Sequence, residues 1–310
     1  GVATLAEALA LRSAGIAAPV LTWLNPVDSN WALAISRRVD VAVGSRAHLA
    51  AIVGRAETLG ARAAVHLHLD CGMARDGAPP SDWMRLCEDA QAAERRGLLE
   101  VVGLMGHLPC ADTPGHPGDD EGRARFAAGA FVARAVGLAP RHLHLAATAA
   151  ALTDPLTHYT MCRIGAGLVG IDPSGTTRLR PAQTLTAPVV AVRRIPPGAG
   201  VGYGHTWVAS APTTLATLPL GYADGLPRIA SGQAFVDIGG QSCPLVGRIS
   251  MDQCVADVTG LAVRLGETAT IWGGSGPSAA DWAGWAGSIE HEIVTGVGAR
   301  VTRHTTGGHR

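Results

Sequence analysis

The sequence predicts an α/β fold in two parts, a parallel sheet with its helices followed by a mostly β domain. β-type runs alternate with helical patterns from residue 1 to about residue 175, which is typical of a parallel sheet. From residue 184 short β runs follow one another, separated by Gly-Gly and Pro-Gly turns. Apolar residues make up 47% of the 310 and charged residues only 16%, so a large core can form. We predict domains at residues 1–175 and 176–310.

The first domain is predicted to contain six strands besides a strand tail at its start. Ser45 and Ser81 are expected to cap helices, because a serine side chain accepts hydrogen bonds from the amides of a first helical turn. An eight-stranded (β/α) barrel needs eight strands and an open doubly wound sheet tolerates six, so both folds stay open. The predicted elements are a strand tail at 1–2, a helix at 4–13, a strand at 17–24, a helix at 31–38, a strand at 39–44, a helix at 45–59, a strand at 62–70, a helix at 81–96, a strand at 100–107, a helix at 121–138, a strand at 142–146, a helix at 148–152 and a strand at 159–163.

The second domain is predicted from short β runs, and the run at 213–220 precedes the most informative tyrosine of the chain. Tyr222 follows this run directly, and Asp224-Gly225 predicts a turn beyond it. A tyrosine phenol can exchange a proton when positive charge lowers its pKa from about 10. Taken alone, Tyr222 is more simply interpreted as a half-exposed residue with its hydroxyl in water. The predicted β runs are 187–193, 213–220, 234–238, 243–246, 253–258 and 268–272.

Composition and charge exclude several classes of protein. The formal net charge is zero, which argues against a nucleic-acid or anionic-membrane surface. No apolar run approaches the roughly 18 residues of a membrane span, and the first residues lack a basic leader region. Six scattered cysteines without a C-x-x-C predict reduced thiols in a cytoplasmic protein. His66/His68 and His142/His144 lack a further ligand, so we predict no metal site.

All 25 basic residues are arginines, and none of the 310 residues is lysine. The chain therefore offers no lysine amine for covalent attachment to a carbonyl group.

Polar residues follow several strands of the first domain, where parallel α/β folds gather their chemistry. Thr148 at a helix start and the backbone of Gly165-Ala166 are suited to a phosphate. Arg163 at a strand end needs an anion or another acceptor. Arg75 and His107 also follow strands. Each of these residues also has a plainer interpretation. Thr148 could be an ordinary helix cap and Gly165 part of a tight turn. Arg75 could be a solvated arginine and His107 a core histidine.

Taken together, motifs along nearly the whole chain resemble the alanine racemases, pyridoxal-phosphate enzymes of fold type III. The Tyr222 and Met251 segments in this order are specific, because related barrel decarboxylases lack both. The matching segments are Gly1–Ala8, Leu69–Arg75, His107 with Cys110–Pro117, Arg163–Gly165, Val201–His205, Leu220–Gly225, Gly247–Gln253 and Glu292–Gly296.

The resemblance implies an isomerase that interconverts L- and D-alanine by a two-base mechanism, a source of D-alanine for peptidoglycan. It implies a (β/α)8-type barrel that binds pyridoxal 5′-phosphate and a β domain that completes the partner's active site in a head-to-tail homodimer. By this resemblance Tyr222 is one base, acting in the partner's barrel. Arg163 faces the pyridine nitrogen, His107 lies beside the cofactor and Tyr222, and Met251 offers its backbone N–H to the substrate carboxylate.

The resemblance also assigns the remaining contacts to the cofactor. Thr148, Gly165 and Ala166 are expected at the phosphate. Arg75 is expected at the phenolic oxygen and near the substrate.

The chain departs from the family pattern in several places. The family's cofactor lysine lies on a first barrel strand upstream of residue 1, so the barrel is expected to lack its first strand and most of its second, and the chain is expected to be inactive by itself. His68, Ala147, Val169 and Thr305 stand where the family has lysine, asparagine, tyrosine and tyrosine. These departures leave two alternatives open, a non-catalytic paralogue and a racemase for a larger amino acid.

Overall fold

The computed structural model describes residues 1–307 as two compact units. The first unit comprises Gly1–Leu168 and Asp172–Leu179, and the second comprises Val169–Ile171 and the chain from Arg180 onward. Near the predicted boundary the chain passes from the first unit to the second at residue 169, returns at residue 172 and leaves again at residue 180. The predicted boundary at residue 175 stays a prediction. Residues 308–310, the end of the predicted second domain, lie outside the described residues.

The first unit alternates helices and strands, as its sequence pattern predicts. Most bounds agree with the prediction within a few residues. The elements are α1 (Leu5–Ser13), β1 (Val20–Thr22), α2 (Trp31–Ser36), β2 (Val39–Val43), α3 (Arg46–Leu59), β3 (Ala63–His68), α4 (Pro80–Arg95), β4 (Leu99–Met105), α5 (Pro117–Ala135), β5 (His142–His144) and α6 (Thr148–Thr153).

The five strands form one parallel sheet in the order β1-β2-β3-β4-β5. Strands that are adjacent in sequence are adjacent in the sheet, so each connection steps in the same direction. A doubly wound sheet reverses its strand order at a switch point, and this sheet does not. The sheet is therefore a half-barrel, and the open doubly wound alternative is wrong. The expectation that a barrel lacks its first strand and most of its second stays a prediction.

The predicted strand at 159–163 is wrong, because this segment does not extend the sheet. Tyr159 has a φ of +45°, which an extended strand cannot accommodate. Thr160 takes over the edge of β5, donating its N–H to the Leu143 carbonyl (3.2 Å) and accepting the Leu143 N–H on its Oγ1 (2.7 Å). The strand tail at residues 1–2 is a single bridge between Val2 and Thr22.

Helix starts follow the capping prediction in part. Ser45 caps α3, its hydroxyl accepting from the His48 N–H at 3.2 Å. Ser81 does not cap α4, which begins at Pro80, a residue suited to the first helical position because it has no N–H to satisfy. The helix predicted from residue 121 begins at Pro117, where the His116 ring serves as the cap. The resulting helices pack on the sheet around buried residues such as Leu67, Leu104 and Phe126.

The second unit is mostly β, with antiparallel pairing throughout the part of the chain that the structure describes. Its sheets have the strand orders β13-β10-β7 and β12-β11-β14-β6, and β8 pairs with β9. The elements are β6 (Leu185–Pro188), β7 (Ala191–Ile195), β8 (Gly200–Val201), β9 (Trp207–Val208), β10 (Thr213–Leu218), β11 (Phe235–Ile238), β12 (Gln241–Pro244), β13 (Cys254–Asp257), β14 (Thr268–Trp272), α7 (Ala279–Ala286) and α8 (Glu290–Thr295).

One predicted run of the second unit is two strands in two different sheets. The run 187–193 divides because the Val189 N–H bonds to the Glu267 carbonyl while the Val190 N–H bonds to the Thr217 carbonyl. The chain thus leaves one sheet and enters the other between two consecutive residues. The run at 268–272 agrees with β14 at both ends, whereas the β8–β9 hairpin and the helices α7 and α8 were not predicted.

Candidate active site

Arg163 lies beyond the carboxyl end of β5 and is held by backbone carbonyls. Its Nη1 donates to the His144 carbonyl (2.9 Å), and its Nη2 donates to the carbonyls of Gly106 (2.7 Å) and Leu145 (3.2 Å). No carboxylate among residues 1–307 pairs with it. Burial lowers the pKa of Arg163 to about 10, so the guanidinium stays charged at neutral pH.

Two histidine rings complete the surroundings of Arg163. Nη1 donates to His144 Nδ1 at 3.0 Å, and Nη2 donates to His107 Nδ1 at 3.1 Å. Because a guanidinium has no acceptor, both Nδ1 atoms must present a lone pair. Burial, followed by the charges of Arg163 and Arg75, lowers the pKa of His107 to about 4. The His107 ring is therefore neutral at physiological pH, with its proton on Nε2.

The N–H groups of both Nη atoms of Arg163 therefore all have acceptors, whereas the Nε–H group does not. This group makes no hydrogen bond within the described residues. One charged donor is therefore left over for a ligand.

Thr148, Gly165 and Ala166 come together at the start of α6. Thr148 is the first helical residue and is 4% exposed, and the cap position before it is held by Ala147, whose side chain cannot accept a hydrogen bond. The Thr148 hydroxyl accepts from the N–H groups of Gly165 (3.3 Å) and Gly167 (3.2 Å). Ala166 begins a short 3-10 turn. The plainer prediction of an ordinary N-cap at Thr148 is wrong, and the contribution of Gly167 was missed.

Arg75 lies on an exposed loop after β3. Asp70 shapes the loop, its carboxylate accepting from the N–H groups of Gly72 (2.9 Å) and Ala74 (3.1 Å). The Arg75 side chain makes no hydrogen bond or ion pair within the described residues. It shares a small pocket with His107 and His68, and His68 is paired with Asp76 at 3.5 Å.

Tyr222 lies at the start of a short 3-10 turn, and its side chain is 42% exposed. Its N–H donates to the Ser250 carbonyl (3.0 Å), and the Ala223 N–H donates to the Met251 carbonyl (2.9 Å). The close approach requires glycine at 221, because a Cβ there would lie 2.2 Å from the Ser250 oxygen. The Tyr222 and Met251 segments are therefore adjacent. The Met251 N–H makes no hydrogen bond within the described residues.

An ion-pair cluster that the sequence did not reveal supports the Tyr222 turn. Arg300 donates from Nε to Asp224 Oδ1 (2.5 Å), and from Nη2 to Asp224 Oδ2 (3.1 Å) and Asp252 Oδ1 (2.5 Å). Asp224 also accepts the Gly221 N–H at 2.8 Å. Burial alone would raise the pKa of Asp224, but the hydrogen bonds from Arg300 and Gly221 outweigh it and lower that pKa below its usual range. Arg300 thus ties the Tyr222 turn to the segment after Met251.

Neither a metal site nor a membrane span is found in the described part of the chain. No group of three or more His, Cys, Asp or Glu side chains within residues 1–307 could hold a metal ion. None of the helices in that range is long and apolar enough to cross a membrane. All six cysteines are free.

Comparison with known proteins gives one consistent result. The family model "Alanine racemase, N-terminal domain" matches residues 1–173, and "Alanine racemase, C-terminal domain" matches residues 182–305. The chain is 42% identical over 309 residues to the alanine racemase of Salinispora tropica, spanning 98% of this chain and 83% of the relative. The Streptomyces coelicolor alanine racemase is 41% identical over 317 residues, spanning 98% and 81%.

Solved structures agree with these relatives. The alanine racemase from D-cycloserine-producing Streptomyces lavendulae matches with a TM-score of 0.95 at 39% identity, covering 99% of this chain and 82% of the other. The alanine racemase from Streptomyces coelicolor A3(2) matches with a TM-score of 0.94 at 40% identity, covering 96% and 82%. The strand order, the Tyr222 turn and the two matching domain models lead to one conclusion: the chain belongs to the alanine racemase family.

Proposed function

We propose that this chain acts on alanine with pyridoxal 5′-phosphate as in a two-base interconversion of L- and D-alanine, and that it supplies one of the two bases, Tyr222. The observation that carries the proposal is Arg163, a charged guanidinium whose Nη atoms are saturated and whose Nε–H is free. A single rigid cationic donor is suited to the pyridine nitrogen of the cofactor. Membership of the alanine racemase family supports the same reaction.

The residues around α6 fit the cofactor's phosphate. The cap residue Ala147 leaves the first-turn amides without a side-chain acceptor, and Thr148 adds a hydroxyl. Such amides attract an anion through direct hydrogen bonds and the helix dipole. Thr148, Gly165 and Ala166 would hold the phosphate. Arg75 would reach the phenolic oxygen and the substrate, because its guanidinium is unpaired and shares a pocket with His107.

When bound, pyridoxal phosphate draws electrons from the substrate's Cα–H bond and so acidifies it. The cation of Arg163 would disfavour a proton on the pyridine nitrogen and would thereby moderate this withdrawal. Weaker electron withdrawal suits a reaction that removes a proton and returns a proton to the same carbon. Neutral His107 holds Arg163 through Nδ1 and keeps one N–H on Nε2 for the site.

The second unit supplies the other groups. Tyr222 would hold or deliver the proton on one side of Cα, and the free N–H of Met251 would bind the substrate carboxylate. In the head-to-tail homodimer that we propose, both act in the partner's barrel. The adjacent Tyr222 and Met251 segments, tied by Arg300, support a joint role.

The two-base mechanism needs a second base opposite Tyr222, and the family uses the cofactor lysine. None of these 310 residues is lysine. We therefore expect the chain by itself to exchange the α-proton of one alanine enantiomer only, and to racemise alanine little.

The test is α-proton exchange in D2O, followed by NMR for L- and D-alanine separately, with pyridoxal phosphate and the purified chain. We expect exchange of one enantiomer with retention of configuration, faster than with the free cofactor. Tyr222→Phe should abolish this exchange. His291→Gln, a substitution outside the proposed site, is the matched control and should leave it unchanged.

Each other outcome has a defined meaning. Equal exchange and racemisation of both enantiomers would show that these residues contain both bases, and the statement about lysine would be wrong. Cofactor binding without exchange would favour the non-catalytic paralogue. Faster exchange of a larger amino acid than of alanine would favour the changed substrate.

A further inference from the structure

A line of buried and half-buried polar side chains runs behind Arg163 across the half-barrel sheet. Arg163 Nη1 lies 3.0 Å from His144 Nδ1, and His144 Nε2 lies 2.8 Å from His66 Nδ1. His66 Nε2 in turn faces Asp40 Oδ2 at 3.6 Å, slightly beyond hydrogen-bond distance. His144 and His66 are 0% and 3% exposed. The line crosses from β5 through β3 to β2, and we call it the histidine relay.

The sheet makes room for the histidine relay at one glycine. β4 lies between β3 and β5, and its Gly103 pairs with His66 on one side and His142 on the other. A Cβ at Gly103 would lie 2.3 Å from His66 Nδ1, so any larger residue would collide with the ring. The missing side chain lets the His66 ring pass over β4 and reach His144.

The hydrogen bonds of the relay can run in one direction only. Arg163 can only donate, so His144 Nδ1 accepts and the ring's proton lies on Nε2. Burial, followed by the charge of Arg163, lowers the pKa of His144 to about 2, so the ring has no second proton. His144 Nε2–H must then donate to His66 Nδ1. A proton on His66 Nδ1 would meet that N–H, so the proton of His66 lies on Nε2 and faces Asp40.

We propose that His144, His66 and Asp40 are positioning residues that hold Arg163 as an un-neutralised cation. A carboxylate in direct contact would cancel the charge of Arg163 where it acts. The relay instead sets the counter-charge two neutral rings away, where Asp40 polarises each ring toward Arg163 and strengthens its acceptor nitrogen. Arg163 is thereby fixed through its Nη1, and its Nε–H keeps its full charge for a ligand. This last consequence rests on the proposed function, whereas the order of the protons does not.

The direct test is nitrogen NMR of histidine side chains in the 15N-labelled full chain at pH 7. His66 and His144 should each show a protonated Nε2 and an unprotonated Nδ1. Signals are assigned with His66→Gln and His144→Gln. A proton on Nδ1 of either ring, or a doubly protonated His66, would overturn the proposal whether or not the chain acts on alanine.

The second test removes the counter-charge. Asp40→Asn keeps the shape and an acceptor oxygen, and Asp40→Leu removes both the charge and the acceptor. Both should shift the nitrogen signals of His66 and His144, and the α-proton exchange described above should fall about tenfold in Asp40→Leu and less in Asp40→Asn. Glu100→Gln removes a carboxylate from the same sheet that pairs with Arg62 and Arg141 instead, and should change neither.

The two tests separate the two proposals. If the wild-type chain exchanges no α-proton but shows the expected protons, the proposed function fails and the relay stands. If Asp40→Asn folds and leaves both histidine signals unmoved, the positioning role of Asp40 is wrong even where exchange is intact.

Discussion

At the scale of single residues, the candidate site depends on which atoms of Arg163 are already occupied. Carbonyls and two neutral imidazoles saturate its Nη atoms, so the direction of every neighbouring hydrogen bond follows from one donor-only side chain. The position of Arg163 at a strand end and its need for an acceptor were predictable from sequence. The identity of the acceptors was not predictable from sequence, because they come from segments far apart in the chain.

The neutral histidines predict a pH-dependent stability. The pKa of His107 falls from 6.5 to about 4 on folding, so between these values the unfolded chain binds the extra proton. The free energy of unfolding should therefore fall as the pH is lowered from 6.5 to 4, by about 3 kcal/mol from this residue. Urea unfolding at several pH values measures it. His107→Gln should flatten the dependence, and the exposed control His304→Gln should not; an equal slope in His107→Gln would contradict the assignment.

At the scale of elements, turns and strands are shaped by contacts with neighbouring segments. The Tyr222 turn requires the lack of a side chain at Gly221 and the anchoring of Asp224. Its location beyond β10 was predictable from the apolar run and the Asp-Gly pair. Arg300 was not, because it lies 76 positions further along the chain than Asp224.

Removing Arg300 should loosen the Tyr222 turn. Arg300→Met leaves the Asp224 carboxylate with only the Gly221 N–H and should lower the free energy of unfolding, by less than the loss of a fully buried pair because the Arg300 side chain is half exposed. Urea unfolding measures the loss, and exchange at the alanine α-carbon should fall with it. Arg303→Met, which removes bonds to carbonyls only, is the control and should cost less.

A methyl group on β4 should disturb the histidine relay. Gly103→Ala places a Cβ against the His66 ring and should destabilise the protein by about 1–3 kcal/mol and shift the His66 nitrogen signals. Gly54→Ala in α3 meets nothing within 4 Å and should instead stabilise by about 0.5–1 kcal/mol. Unmoved His66 signals in Gly103→Ala would show that the ring does not cross β4 as described.

At the scale of the whole molecule, the residues of the proposed function are divided between the two units. The first unit contains Arg163, His107, Thr148 and Arg75, and the second contains Tyr222. Each unit has its own hydrophobic core. The high apolar content of the sequence made a large core predictable. The number of parallel strands was not predictable from sequence. The segment around Thr160 bonds to the edge strand β5 at Leu143 without forming the predicted sixth strand.

The proposed head-to-tail dimer predicts complementation between two defective chains. Tyr222→Phe and Arg163→Gln should each lose α-proton exchange alone. Mixed dimers should contain one barrel with Arg163 intact and Tyr222 supplied by the other chain, so co-refolding equal amounts should restore about a quarter of the wild-type rate. Native mass spectrometry would test whether mixed dimers form. Mixed dimers without restored exchange would mean that Tyr222 acts within its own chain.

The sequence alone determined the alternation of helices and strands, the change to short β runs after residue 184 and the family resemblance, because these depend on local pattern and on motifs of neighbouring residues. Only the tertiary structure decided the half-barrel strand order, the Arg300 cluster and the histidine relay. Each of these joins residues from distant segments, through hydrogen bonds whose geometry no local pattern specifies. The relay also depends on Gly103, which has no side chain to block the His66 ring. This effect arises only because β3 and β5 pair with β4 on either side of Gly103.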